Sequence, residues 1–156
     1  MAQPADKKAP PTETLVGENR KARFHYEIVE HYEAGLVLQG TEVKVLRGRQ
    51  VSLDEAYARF DGDELWLIGA TIPEYSHGNL RNHEPKRRRK CLLHARELKK
   101  LKAKAQIKGL TIVPLRIYFG ARGFAKVTLG VGKGRKVHDK RQHLKDKEMK
   151  REIRQA

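Results

Sequence analysis

The sequence predicts a mainly β protein with short helices, folded as an OB-like antiparallel β-barrel with a basic C-terminal tail. Three observations support this prediction. Short β-prone runs are separated by turn signals, only one or two segments have helical spacing, and both ends of the chain are polar and charged. Five or six short antiparallel strands with charged extensions are typical of a small closed barrel.

The chain divides into three parts. Residues 1–18 are rich in proline, alanine and charge, and we expect a flexible tail because they cannot bury enough apolar surface to become ordered. Residues 19–132 form the predicted barrel, in line with one domain for a chain of 156 residues. Residues 133–156 contain ten Lys or Arg and few apolar residues, so we expect a basic tail that is disordered when free.

The first predicted unit runs from Asn19 to Arg47. The alternation of residues between 26 and 32 predicts a strand. Glu33-Ala34-Gly35 predicts a turn, and residues 36–38 predict a short returning strand. Residues 41–48 read as a short helix with Thr41 as its N-cap, and a continued strand is the alternative.

The middle of the chain predicts a hairpin, a loop, a helix and a second hairpin. Asp61-Gly62 lies between two β-rich runs and predicts the first turn, with Trp66 expected in the core. Residues 73–90 lack periodicity and predict a long exposed loop, after which helical spacing extends to Gly109. Two further strands, 111–119 and 124–131, are joined by residues 120–123.

The charge of the chain predicts its partner. A formal net charge of +15 indicates a polyanionic partner. Nucleic acid is the first expectation and an anionic membrane the second. No apolar stretch approaches the ~20 residues of a spanning helix, and the N-terminus lacks the apolar centre of a signal peptide. The single cysteine, Cys91, fits a reducing compartment. We therefore expect a cytoplasmic monomer without a membrane partner.

Three basic elements are predicted to bind RNA. The first is a run of five cations in the expected loop, for which phosphate binding is the functional interpretation and a solvated run the alternative. Its members are Lys86, Arg87, Arg88, Arg89 and Lys90. The second places Arg20, Lys21 and Arg23 beside aromatic rings, which suits unpaired bases and phosphates, although Phe24 and Tyr26 could also be core residues. The third is the tail, whose cations should become ordered on a phosphate surface.

Signals for catalysis are weak. The seven histidines show no metal-ligand spacing, and there is no cysteine pair or phosphate-cradling loop. We therefore predict no catalytic residue, no metal, no cofactor and no small-molecule substrate. Two alternatives stay open, a ribosomal or assembly protein that binds rRNA constitutively, and a small RNA nuclease using His94 or His138.

Several segments, taken in order, resemble one family, the SsrA-binding proteins, also called small protein B. The segments are NRKAR at 19–23, YEAGLVLQGTEVK at 32–44, RRK at 88–90, LLH at 92–94, LRIYF at 115–119, KV at 126–127, KGRK at 133–136 and HDKR at 138–141. Each is weak alone, and the ordered set over roughly 19–150 is specific.

The resemblance implies an OB-like barrel that binds the tRNA-like part of transfer-messenger RNA and brings it to stalled ribosomes, where the nascent chain is rescued and tagged (trans-translation). It implies RNA contacts at Asn19, Arg23, Tyr26, Glu33, Leu92 and Lys126, with Phe24 standing where the family usually has His. It also implies a tail that enters the decoding region and mRNA path of the small subunit and folds there as a helix. The tail positions are Lys133, Lys136, His138, Asp139, Lys140 and Arg141.

Overall fold

The computed structural model describes residues 13–78, 81–135 and 137–155. Its elements in chain order are β1 (Thr14–Glu18), α1 (Ala22–His25), β2 (Tyr26–Leu36), α2 (Gly40–Arg47), β3 (Tyr57–Asp61), β4 (Glu64–Ile68), β5 (Arg89–Leu92), α3 (Ala95–Ala105), β6 (Leu110–Phe119), β7 (Ala125–Gly134) and α4 (Val137–Gln155). The predicted mainly β fold with short helices is confirmed.

The strands of the described residues form one antiparallel sheet. Its order is β1–β6–β3–β4–β5–β2–β7, and β6 also pairs with β7. The series of pairings therefore returns to β6. The hairpin predicted at Asp61-Gly62 is present as β3 and β4.

Strand β2 is longer than predicted. It pairs with β7 from Tyr26 to Gly35, so the turn expected at residues 33–35 is wrong. A bulge lies between Ile28, opposite Gly132, and Glu30, opposite Val131. The bulge places one extra residue in β2. Because neighbouring residues of a strand point to opposite faces, this extra residue changes which residues of β2 face the core after the bulge. After the bulge, Ala34 faces inward and Glu33 outward.

The core lies between the sheet and helices α2 and α3. Side chains with almost no exposure come from α2, β4, α3, β6 and β7 and include Leu46, Leu65, Leu67, Leu101, Ile117, Val127 and Leu129. Helix α2 was predicted within one residue, but its N-cap is Gln39 and not Thr41. The backbone N–H of Gln39 donates to Glu42 Oε1 at 2.8 Å, whereas the Thr41 hydroxyl bonds His83.

The boundaries of both predicted tails differ in the structure. Residues 14–18 are strand β1 and not flexible, because they pair with β6 and bury Val16. Residues 1–12 of that prediction lie outside the described residues. At the other end, β7 continues to Gly134, beyond the predicted barrel boundary at 132. Residues 137–155 are a helix in this structure, and Lys, Arg, Glu and Gln, all good helix formers, dominate them. Disorder of the tail when it is free of the ribosome stays a prediction.

A buried ion pair joins α2 to the start of β5. Glu42 and Arg89 are both fully buried, and Arg89 Nε donates to Glu42 Oε2 at 2.8 Å. Arg87 Nη2 donates to Glu42 Oε1 at 2.5 Å, and Arg89 Nη1 donates to the carbonyl of Ala70 at 2.8 Å. Burial alone would raise the pKa of Glu42, but the bonds from Arg87, Gln39 and Arg89 outweigh it and lower that pKa. Glu42 therefore stays ionised and paired inside the protein.

We expect Glu42→Gln to lower the free energy of unfolding by about 3–5 kcal/mol, because it leaves the buried guanidinium of Arg89 without a counter-charge. Glu64→Gln is the matched control. It breaks the exposed pair with Lys90 and should cost about 1 kcal/mol or less. Urea unfolding of the three proteins measures the difference.

The difference in unfolding free energy between the unsubstituted protein and Glu42→Gln should depend on pH. The folded pKa of Glu42 is below the ordinary 4.5, so its contribution is present above that value and is lost as the pH falls through the folded pKa. The stability gap between the unsubstituted chain and Glu42→Gln should therefore narrow in acid. A gap that is constant or widens would contradict the assignment.

Candidate nucleic-acid interface

The outward face of β2, β7 and β6 carries two of the predicted site residues, Glu33 and Lys126. In β7, the exposed Lys126 and the buried Thr128 alternate with the buried Val127 and Leu129. Thr128 pairs with Glu33 of β2 on one side and with Arg116 of β6 on the other. We call this surface the β2–β7–β6 face and define it by His31, Glu33, Arg116, Tyr118, Lys126 and Thr128.

Glu33 is held in one orientation on this face. The Tyr118 hydroxyl donates to Glu33 Oε1 at 2.5 Å, and Thr128 Oγ1 donates to the same oxygen at 2.9 Å. Arg116 Nε donates to Thr128 Oγ1 at 3.2 Å, and its guanidinium lies 4.3 Å from the centre of the Tyr118 ring. Burial, and then the bond to Glu33, raise the pKa of Tyr118, so its hydroxyl stays a donor at neutral pH. The result is a fixed carboxylate on an exposed strand.

Three predicted residues meet in one groove. Gly35 of β2 pairs with Leu92 of β5 and with Lys126 of β7. These pairings bring the side chains of Leu92 and Lys126 beside Glu33. The groove has a volume of about 310 Å³, and His94 also lines it. Leu92 is 51% exposed there despite being apolar. A carboxylate acceptor, an ammonium group and an apolar shelf together suit a nucleotide, with its base edge, phosphate and base plane.

A second, larger cleft holds the predicted residues Asn19 and Arg23. Its volume is about 450 Å³, and its cationic lining comes from α1, β6 and α4 and the residues before α1. Those cations are Arg20, Arg23, Arg116 and Lys147. Glu18 is the acid that lines it, so the charge of the cleft favours phosphate.

Asn19 is buried at the base of this cleft. Its backbone N–H donates to the carbonyl of Leu115 at 2.8 Å, and its Nδ2 donates to the carbonyl of Pro114 at 3.0 Å. Its Oδ1 is buried without a hydrogen-bond partner among the described residues. Such an atom is costly to leave unpaired, and a donor of a bound ligand would satisfy it.

The aromatic residues near the start of β2 are less exposed than the site predicted there requires. Phe24 lies in the single turn of helix α1, before the strand, and packs edge-on against His25 with ring centres 5.1 Å apart. Tyr26 is half-buried beside Gly132, where a Cβ atom would lie 2.7 Å from the Cβ of Tyr26. Tyr26 therefore packs on the backbone of β7, and base stacking by either ring stays a prediction.

The predicted basic loop is mostly paired within the protein. The prediction that Arg89 binds phosphate is wrong, because its guanidinium is fully buried against Glu42. Arg87 bonds the same carboxylate, Arg88 bonds Asp61 at 3.1 Å, and Lys90 bonds Glu64 at 2.7 Å. The counter-anions that the run requires are thus carboxylates of this chain. Lys86 is exposed, and its prediction stands untested.

Trp66 was expected in the core and this expectation is wrong. It is half-buried on the outer side of β4, where the guanidinium of Arg88 lies 4.0 Å from its ring centre. The alternating partners Leu65 and Leu67 fill the core instead.

The predicted tail residues are only partly described. Lys133 is exposed near the end of β7, and Arg141 is exposed on α4. Lys136 lies outside the described residues, and the structure describes only the backbone of His138, Asp139 and Lys140. Their roles stay predictions.

Sequence reasoning missed four residues of the β2–β7–β6 face: His31, Arg116, Tyr118 and Thr128. The alternation of 115–119 could have placed Arg116 and Tyr118 on one side of a strand. It could not have shown that Tyr118 and Thr128 both bond Glu33, because that contact depends on the register of three strands.

Other kinds of site find little support in the parts of the chain that the structure describes. No group of three or more His, Cys, Asp or Glu there could hold a metal ion. No helix there is long and apolar enough to cross a membrane. Burial raises the pKa of the Cys91 thiol to about 12, which makes it a poor nucleophile at neutral pH.

Comparisons with known proteins show which family this chain resembles. Residues 16–156 match the family model described as SmpB protein. An SsrA-binding protein from Sphingopyxis alaskensis is 54% identical over 138 residues, covering 88% of this chain and 86% of its own. Another from Mesorhizobium japonicum is 51% identical over 146 residues, covering 94% and 92%.

A solved structure is also similar. It is described as "tmRNA-SmpB: a journey to the center of the bacterial ribosome", and it matches with a TM-score of 0.68 and 48% identity over 82% of this chain and 93% of its own. With the family model covering nearly the whole chain and relatives of this identity, the chain belongs to the SmpB protein family.

Proposed function

We propose that the protein binds the tRNA-like domain of transfer-messenger RNA and delivers it to stalled ribosomes, where the nascent chain is rescued and tagged. Its membership of a family with a solved tmRNA–SmpB ribosome structure carries this proposal. The protein acts by binding and not by catalysis, which fits a surface built from fixed acceptors and cations. A cytoplasmic location and a monomeric state belong to the same proposal.

The strand pairings support an OB-like barrel as the scaffold. Strand β6 pairs with β3 on one side and β7 on the other, and the remaining strands link β3 back to β7. A sheet whose pairings return to their start has few free edges and holds its outer face rigidly. Rigid positioning of side chains is what recognition of a folded RNA requires.

The two concave sites divide the work of RNA recognition. The cleft beside Asn19 presents Arg23 and Arg116 and suits the phosphate backbone. The groove beside Gly35 presents the fixed Glu33 carboxylate, which can accept hydrogen bonds from a base edge or a 2′-hydroxyl. The Thr128 hydroxyl bonds both Arg116 and Glu33 and so connects the two sites.

The tail is proposed to act on the ribosome. Cations outnumber acids in 137–155, and its apolar residues Leu144, Met149 and Ile153 are largely exposed. We propose that residues from Lys133 through Arg141 contact the small-subunit decoding region and that the following helix occupies the mRNA path.

We expect the purified protein to prefer transfer-messenger RNA to an elongator tRNA, and to keep this preference when salt rises from ~50 to ~200 mM. Phosphate contacts weaken with salt for both RNAs, whereas base and 2′-hydroxyl contacts weaken less. Filter binding at both salt concentrations measures this. An equal fall without any preference would favour the constitutive rRNA-binding protein instead.

We expect the double variant Glu33→Ala with Lys126→Ala to lose at least about tenfold in affinity for the tRNA-like domain, since it removes a fixed acceptor and a cation from the groove. The matched control is Asp63→Ala with Lys102→Ala, an exposed acid–lysine pair between the β3–β4 turn and α3. Both variants should melt near the unsubstituted protein. Equal affinity of the two double variants would refute the groove as an RNA-binding site.

Deletion of residues 137–156 should preserve RNA affinity within about threefold, because among the described residues of α4 only Lys147 lines the phosphate cleft. The same deletion should abolish tagging in a translation system stalled on an mRNA without a stop codon. Loss of RNA binding on truncation would show that α4 belongs to the RNA surface.

A further inference from the structure

An aromatic residue outside the described sites is unusually exposed. Phe124, at the turn between β6 and β7, is 68% exposed. A buried Phe side chain stabilises the folded state, and Phe124 forgoes most of that stabilisation. A lone exposed apolar residue is common on protein surfaces, so the surroundings of the ring decide what it can do.

The turn that carries Phe124 is tightly built. The backbone N–H of Gly120 donates to the carbonyl of Phe124 at 3.0 Å, and the N–H of Gly123 donates to the carbonyl of Gly120 at 2.9 Å. Gly123 has a φ of +84°, which a residue with a side chain rarely adopts. The next residue, Ala125, is buried and starts β7. The backbone at Phe124 is thus held at both ends while its ring faces solvent.

The surroundings of the turn are cationic. The Lys126 side chain runs along it, since a Cβ atom on Gly120 would lie 3.4 Å from Lys126 Cε. On its other side the Arg47 guanidinium lies 4.5 Å from the ring centre of Phe119, and its Nη2 would lie 3.9 Å from a Cβ atom on Gly123. Arg122 is exposed within the turn, and residues 119–126 contain no acid.

We propose that Phe124 is a stacking platform for an unpaired RNA base, whose flanking phosphates are contacted by Arg122 and Lys126. This proposal rests on the proposed function and extends its surface past the groove, since Lys126 lines the groove and also borders the turn. Every base offers a flat face to an aromatic ring, and each stacked base carries charged phosphates beside it. An exposed ring between cations matches both features.

The experiment measures affinity for two RNA sources that could supply the base, the tRNA-like domain of transfer-messenger RNA and small ribosomal subunits. Phe124→Ala should weaken binding to at least one of them by about fivefold or more. Its salt dependence should be unchanged, because stacking releases no counterions. Arg122→Ala should instead lower the slope of log affinity against log salt by about 1.

Conservative variants separate stacking from simple burial. Phe124→Trp should keep the affinity, and its added tryptophan fluorescence should be quenched by RNA, whereas Phe124→Leu should bind as weakly as Phe124→Ala. Ile107→Ala is the control, because Ile107 is 51% exposed in the loop before β6 and away from the turn. Thermal melting should be the same for all variants, since neither side chain is buried.

Two results would overturn the platform: unchanged affinity of Phe124→Ala for both RNA sources, or full recovery by Phe124→Leu. Failure of the proposed function has a different signature. If transfer-messenger RNA and elongator tRNA bind equally well but Phe124→Ala weakens both, the stacking platform stands and the selectivity does not.

Discussion

The antiparallel pairing of β2 with β7 is the constraint on which the rest of the structure depends. It sets Glu33 opposite Thr128 and Gly35 opposite Lys126, and β7 in turn aligns Arg116 and Tyr118 of β6. A shift of one residue would turn Glu33 into the core and Ala34 outward. The bulge after Ile28 makes the correct alternation possible, because it lets the first part of β2 pack on the glycines of β7. The arrangement of side chains on the β2–β7–β6 face is therefore a consequence of strand register.

The basic run of 86–90 shows how the same charges serve folding and binding differently. Arg89 is buried inside the protein, where its ion pair with Glu42 joins α2 to β5. Arg88 lies over Trp66 and pairs with Asp61, and Lys90 pairs with Glu64. Among the described residues, other cations line the cleft beside Asn19, and Arg122 lies in the β6–β7 turn next to Lys126. The run 86–90 therefore contributes mainly to folding, and the candidate sites draw on other cations.

The sequence was sufficient for the fold class, because alternation and turn chemistry are local. The groove residues Glu33, Leu92 and Lys126 were implied only by the resemblance to a family. It was insufficient for strand length and partners. Glu33 looked like a turn residue because Gly35 follows it, yet pairing with β5 and β7 keeps the strand extended there. Arg89 looked like its neighbours, since nothing in a run of cations tells which one faces inward. Its counter-charge, Glu42, is 47 residues away along the chain.

The sheet and α4 differ in how firmly their side chains are held. Hydrogen bonds between strands fix the side chains of the β2–β7–β6 face, so a ligand bound there would order few additional groups. Helix α4 lies against α1, and its apolar residues Leu144, Met149 and Ile153 are exposed. A segment that buries so few apolar residues would leave the sheet at low cost when a polyanion is offered. Under the proposed function the sheet would hold one RNA while the tail engages another, and the polarity of the tail would keep the two interactions independent.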